Sequence, residues 1–200
     1  GFDENGAPAY VGGCAWWERV FDAKGNELKR VCLDADGAPT SDNTGCAKIT
    51  FQYDQRCNVS EKACLDESGM PVVTTAWYAK STYLHELRGN EVEVAYFNER
   101  GIPTDGPNEY AKVARKYDDW GRVIEETYFD VDGKPSNCHD GYSRVIYNRD
   151  DWGNIIEEKY FDTEGNPSER DLNYARVIRR YDNCGRMIEE AYLDIEGTPT

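Results

Sequence analysis

The residues with obvious chemical potential are few. Two histidines and seven cysteines stand among 38 acidic side chains. His85 ends a β-type run and His139 lies in a polar stretch. Neither has a Ser or Cys at a spacing that a base–nucleophile pair would need. The carboxylates recur with a fixed period, which marks sheet surface rather than an acid–base pair. Asp-x-Asp-Gly occurs at Asp34–Gly37 and Asp130–Gly133, so Asp34, Asp36, Asp130 and Asp132 are the candidates for a calcium-type oxygen site. The later ligand that completes such a loop is missing, and an Asp-initiated turn accounts for the same residues. Trp120 and Trp152 occupy one turn position in adjacent repeats, where they could stack on a sugar ring or a partner. No glycine-rich phosphate loop and no zinc spacing is present. The expectation is a non-enzyme without catalytic residues, cofactor or metal. A calcium-stabilised repeat and a carbohydrate-binding repeat are the alternatives.

The elements that position these residues follow from an internal repeat. Gly-x-Pro triplets start at Gly6, Gly37, Gly69, Gly101, Gly133, Gly165 and Gly197, at 32-residue intervals after a first gap of 31. The units run about 2–32, 33–64, 65–96, 97–128, 129–160 and 161–192, with a partial unit at 193–200. The chain reads as one repeat array, and the partial unit leaves room for a longer one. Unit one is atypical, with Trp16 and Trp17 in its first run, as suits a capping repeat. Each unit holds two runs rich in Tyr, Val and Ile, joined by Asp-x-x-Gly. That is a hairpin with a type I turn and Gly in the left-handed position.

A three-residue loop sets a register. It places Arg149 opposite Ile155, Tyr147 opposite Glu157 and Val145 opposite Lys159. In the sixth unit it places Tyr181 opposite Met187, Arg179 opposite Glu189 and Val177 opposite Ala191. Unit four gives Arg115–Glu125 and Val113–Thr127, unit one Arg19–Lys29, and unit two Phe51–Glu61. One face is then mostly apolar with a central Arg–Glu pair. The other carries Tyr174, Arg176, Ile178, Ile188, Glu190 and Tyr192. The fold class is all-β: tandem 32-residue hairpins in one elongated, twisted or coiled antiparallel sheet, solenoid-like. Twelve strands about 4.8 Å apart would stack to nearly 60 Å.

The net charge of −15 argues against nucleic acid, which needs a basic patch. No 18-residue apolar run predicts a membrane span, and no signal-peptide pattern is present. Four cysteines fall in two columns. Cys14 and Cys32 in unit one, and Cys46 and Cys64 in unit two, stand where later units have Tyr78/Tyr96, Tyr110/Tyr128, Tyr142/Tyr160 and Tyr174/Tyr192. The columns switch together, which predicts disulfides Cys14–Cys32 and Cys46–Cys64. The rival pairing Cys32–Cys46 and reduced, packed thiols stay open, because a diagonal across a hairpin is long for a bridge. Disulfides would imply an oxidising compartment. Cys57, Cys138 and Cys184 follow no column, and Cys57 replaces the turn glycine.

Tyr110–Ile124, YAKVARKYDDWGRVI, and Tyr174–Ile188, YARVIRRYDNCGRMI, carry Tyr-Asp followed by a turn Gly and Arg. Here these are Tyr117-Asp118…Gly121-Arg122 and Tyr181-Asp182…Gly185-Arg186, with Phe21-Asp22…Gly25-Asn26 as a weaker copy. The pattern resembles the tyrosine–aspartate (YD) repeats of the RHS and teneurin group. The resemblance implies a secreted or cell-surface hairpin array that spirals, a binding or encapsulating role, and no catalytic residues. The expected protein is an extracellular or cell-surface binding scaffold or spacer. Its expected partner is a protein or glycan at a surface.

Overall fold

The computed structural model describes residues 12–170 and 173–200. The expected turns at Asp3 and Gly6, and the start of unit one at Phe2, lie outside the described residues. The strands of the first three units are β1 (Trp16–Phe21), β2 (Glu27–Leu33), β3 (Lys48–Tyr53), β4 (Val59–Leu65), β5 (Lys80–His85) and β6 (Glu91–Phe97). Those of the next three are β7 (Lys112–Tyr117), β8 (Val123–Phe129), β9 (Arg144–Arg149), β10 (Ile155–Phe161), β11 (Arg176–Tyr181) and β12 (Met187–Leu193). They form one antiparallel sheet in sequence order, and the described residues contain no helix. Residue contacts group the chain into two compact units, Gly1–His85 with Val94–Pro107 and Glu86–Glu93 with Asn108–Thr200.

The Asp-x-x-Gly turns form as their residues dictate. In β9–β10 the amide of Gly153 donates to Asp150 O at 2.9 Å and that of Asp150 to Asn154 O at 3.0 Å. Gly153 has φ +95°, the left-handed region that glycine enters without steric cost. Asp150 Oδ1 accepts the Asn154 amide at 2.8 Å, closing the turn from inside. The Gly-x-Pro turn repeats this geometry, with Gly165 at φ +87° and Phe161 bridging to Pro167.

The register differs from the expected one beyond its first pair. Arg149↔Ile155 holds, but Ile156 then bulges out of the ladder, and the partners become Asn148↔Glu157, Tyr147↔Glu158 and Val145↔Tyr160. The same slip gives Arg115↔Glu126 and Val113↔Tyr128 in unit four, and Arg179↔Glu190 and Val177↔Tyr192 in unit six. Unit one has Arg19↔Arg30 in place of Arg19–Lys29, and unit two has Phe51↔Lys62 in place of Phe51–Glu61. One extra residue in a strand moves every later side chain to the other partner. The tyrosines therefore do not share a face with Arg176 and Ile178. They join the valine column on the buried face, where Val113, Val145, Val177 and Tyr160 are at most 1% exposed. The opposite face carries Lys112 and Arg144, 4.6 and 4.3 Å from the ring centroids of Phe129 and Phe161.

The carbonyls of Glu27, Val123, Ile155 and Glu91, each at the start of a hairpin's second strand, are capped by a side chain of the following hairpin. Tyr53 donates its hydroxyl to Glu27 O at 2.8 Å, Tyr117 to Glu91 O at 2.7 Å and Tyr181 to Ile155 O at 3.1 Å. In unit five Arg149 replaces the tyrosine, and its Nη2 reaches Val123 O at 3.0 Å. A net hydrogen bond of this kind is worth about 1 kcal/mol, and leaving the carbonyl bare costs more. These caps hold consecutive hairpins together where the ladder between them is short. It spans only Glu157↔Ile178 to Lys159↔Arg176 between β10 and β11.

The polar loop before the first strand contains a third turn in units two, three and five, with the same closing bond in unit six. It spans Asp42–Gly45, Thr74–Trp77 and Cys138–Gly141, each closed by the fourth amide donating to the first carbonyl at 2.9–3.0 Å, and Asn173 N likewise donates to Arg170 O at 2.8 Å. Its last residue is left-handed even when it is not glycine, with φ +71° at Trp77 and +60° at Asn173. Cys57 is strained in the same way at the hairpin turn, with φ +67° and an exposed side chain. Cys57→Gly is therefore expected to raise the unfolding free energy by about 1 kcal/mol in urea titrations; an unchanged or lower midpoint would contradict this turn geometry.

Candidate binding surfaces

The third turn delivers the first tyrosine or cysteine column. Cys14, Cys46, Tyr78, Tyr110, Tyr142 and Tyr174 each follow the left-handed residue, which folds them back over the second strand. Cys14–Cys32 and Cys46–Cys64 are disulfides with Cα separations of 5.4 and 5.5 Å, inside the usual range. The tyrosine pairs stand in the same relation. Ring centroids are 4.8 Å apart for Tyr78–Tyr96, Tyr110–Tyr128 and Tyr142–Tyr160, and 4.9 Å for Tyr174–Tyr192. Edge contacts of 5.8 Å (Tyr128–Tyr142) and 5.9 Å (Tyr160–Tyr174) join one hairpin to the next. Each such pair adds about 1 kcal/mol beyond its burial.

Beside this column runs a row of charges. Arg115 pairs with Glu126 at 2.8 Å and also with Glu91. Arg179 pairs with Glu190 at 2.7 Å and also with Glu158. Unit five has Tyr147 in the arginine position, and its hydroxyl donates to Glu126 at 3.1 Å. Burial pushes the Tyr147 phenol up, and the nearby Glu126 carboxylate adds to the shift. Burial opposes the charge on Arg115, yet Glu126 and Glu91 hold its guanidinium above its ordinary value. These carboxylates are tied into the sheet.

The acidic turn residues are engaged as well. Asp34 Oδ1 accepts the amides of Asp36 and Ala38 at 3.0 and 2.8 Å, and Asp130 Oδ1 those of Asp132 and Lys134, both at 2.9 Å. Asp36 and Asp132 are exposed. Among the described residues no group of three or more His, Cys, Asp or Glu is arranged to hold a metal ion. The side-chain amides of Asn26, Asn58 and Asn154 hold Asp22, Asp54 and Asp150 below the usual aspartate value of 3.8. His139 Nδ1 lies 3.3 Å from Glu109, and His85 takes the position of a capping tyrosine at the end of β5.

Trp120 and Trp152 are 76% and 79% exposed. Trp120 lines a groove of about 350 Å³ with Arg122, Ile124, Ile146 and Asn148, whereas Trp152 is not part of that lining. The Arg122 guanidinium lies 4.8 Å from the Trp120 ring and extends across Gly153, where a β-carbon would meet Nη1 at 2.0 Å. A second cavity, about 280 Å³, opens on the tyrosine column among Tyr110, Tyr128, Tyr142 and Cys138. Nothing in the primary sequence marked it, because its shape depends on the third turn.

The chain is an antiparallel β-hairpin repeat protein. No known protein family and no curated protein matches it. Among solved structures it is similar to the Photorhabdus luminescens Tc holotoxin pore with mutated TccC3, at 12% identity and a TM-score of 0.42. That match covers 92% of this chain and 9% of the other. Two complexes, TcdB2–TccC3–TEV and TcdB2–TccC3–Cdc42, match at 10% and 13% identity with TM-scores of 0.25, over 90% and 92% of this chain and 11% of theirs. The chain thus spans about a tenth of each of these structures.

Alkylation of the intact chain under denaturing, non-reducing conditions is expected to label Cys57, Cys138 and Cys184 and to leave Cys14–Cys32 and Cys46–Cys64 peptides. Reduction should cost about 3 kcal/mol per bridge, each closing an 18-residue separation. A Cys32–Cys46 peptide, or full labelling, would contradict the assignment.

Proposed function

We propose that the chain is a non-enzymatic binding scaffold or spacer of an extracellular or cell-surface protein, with a protein or glycan as partner. The observation that carries this reading is the engagement of the strand carboxylates and turn aspartates in a repeating structural pattern. Glu126 is held by Arg115 and Tyr147, and Asp34 and Asp130 by turn amides. General acid–base catalysis needs a group whose proton is free to move to a substrate, and these groups are committed to the sheet. The two disulfides support an oxidising compartment. No helix among the described residues is long and apolar enough to cross a membrane.

The glycan arm of the proposal rests on the exposed Trp120 ring in its groove. The intact chain is expected to bind on a glycan array and to lose at least tenfold in signal in the Trp120→Ala/Trp152→Ala variant. Binding that survives both substitutions removes the tryptophan platform. Turnover of a glycosidic or peptide substrate by the purified chain would contradict the scaffold reading itself.

A further inference from the structure

The residue that opens the third turn differs in every repeat: Asp42, Thr74, Gly106, Cys138 and Arg170. Arg170 shows what this position can hold. Its guanidinium carbon lies 5.7, 5.4 and 5.4 Å from the ring centroids of Tyr142, Tyr160 and Tyr174. Nη1 donates to the Tyr174 hydroxyl at 3.2 Å, and Nη2 pairs with Asp140 at 3.0 Å. Three phenol rings and one carboxylate thus enclose a planar cation, and the side chain is only 17% exposed.

One repeat earlier the same enclosure is built without its cation. Tyr110, Tyr128 and Tyr142 have ring spacings of 4.8 and 5.8 Å, against 4.8 and 5.9 Å around Arg170. The residue in the arginine position is Cys138, a buried unbridged cysteine too short to fill the space. What remains is the cavity of about 280 Å³, lined by the three rings with Asn108, Glu126, His139 and Asp140, the last of these already paired with Arg170. Asn108 takes the place that Asp140 has in the next repeat. Arg115 also reaches this lining, but Glu126 and Glu91 already neutralise it. At Gly106 the space is closed, because a β-carbon there would meet the Tyr96 ring at 2.5 Å.

We propose that this cavity is a recognition site for a guanidinium group from outside the chain, seated over Tyr110, Tyr128 and Tyr142 as Arg170 is seated over their counterparts. Tyrosine faces attract planar cations, and their hydroxyls accept the guanidinium hydrogens at the edge. The chain's net charge of −15 favours the encounter. The site goes beyond the scaffold reading, which leaves the partner at protein or glycan and stands or falls on other groups. The guanidinium can come from an arginine side chain of a partner protein or from a small guanidino compound.

The test is calorimetric titration of the intact chain with n-butylguanidinium, its neutral isostere n-butylurea, and N-acetyl-arginine methylamide. The expected result is one saturable site that prefers butylguanidinium over butylurea at least tenfold. Tighter binding of the arginine amide points to a partner protein, and tighter binding of butylguanidinium to a small compound. Cys138→Arg should fill the cavity and abolish binding, and Arg170→Ala should open a second site and raise the stoichiometry to two. Should Cys138→Arg fail to fold, Tyr110→Leu keeps the volume, removes one ring face and should weaken binding at least tenfold. Equal affinity for butylurea, no saturable binding, or full binding by folded Cys138→Arg or Tyr110→Leu would overturn the site.

Discussion

In four hairpins the backbone carbonyl that opens the second strand, beside the two-against-one bulge, accepts a hydrogen bond from a side chain of the next hairpin. Tyr53, Tyr117 and Tyr181 donate through their hydroxyls, and Arg149 through its guanidinium. A carbonyl left without a partner costs more than the bond returns, so these caps add to the short ladders that join consecutive hairpins. The bulge also decides which side chains share a face. Because Ile156 and Ile188 leave the ladder, Tyr160 and Tyr192 come opposite Val145 and Val177. The aromatic column, the Arg–Glu row and the buried face all follow from that one slip.

The third turn completes the arrangement. It turns the first tyrosine of each unit back over the second, so the pair meets ring to ring at 4.8–4.9 Å. Cysteines at the same two positions have Cα atoms close enough to bridge. The array thus uses two interchangeable fasteners in one place. One is apolar and aromatic, worth about 1 kcal/mol beyond burial. The other is covalent and restricts the unfolded chain. The same turn sets what lies over the tyrosines, from the Tyr96 ring against Gly106 to the guanidinium of Arg170.

Much of this was legible in the residues. The Gly-x-Pro spacing carried the period, Asp-x-x-Gly carried the turn, and the joint switch of Cys14/Cys32 to tyrosine pairs carried the columns. The bulge was not legible, because Ile156 and Ile188 are good strand residues and nothing in their chemistry says they leave the ladder. An unbulged ladder would pair Arg179 with Glu189, whereas the bulge pairs it with Glu190. The third turn was partly legible: Gly13, Gly45 and Gly141 precede the column directly. Trp77, Glu109 and Asn173 hid it, since residues with a β-carbon seldom adopt their positive φ. The candidate surfaces divide in the same way. Exposed turn tryptophans follow from position alone, whereas the cavity beside Cys138 needs the three-dimensional repeat.

The register is the central claim, and cross-strand nuclear Overhauser contacts between backbone protons measure it directly. Contacts between Val177 and Tyr192, and between Val145 and Tyr160, are expected, with Ile156 and Ile188 outside the regular pattern. Contacts from Val177 to Ala191 and from Val145 to Lys159 instead would mean an unbulged ladder and would contradict the account.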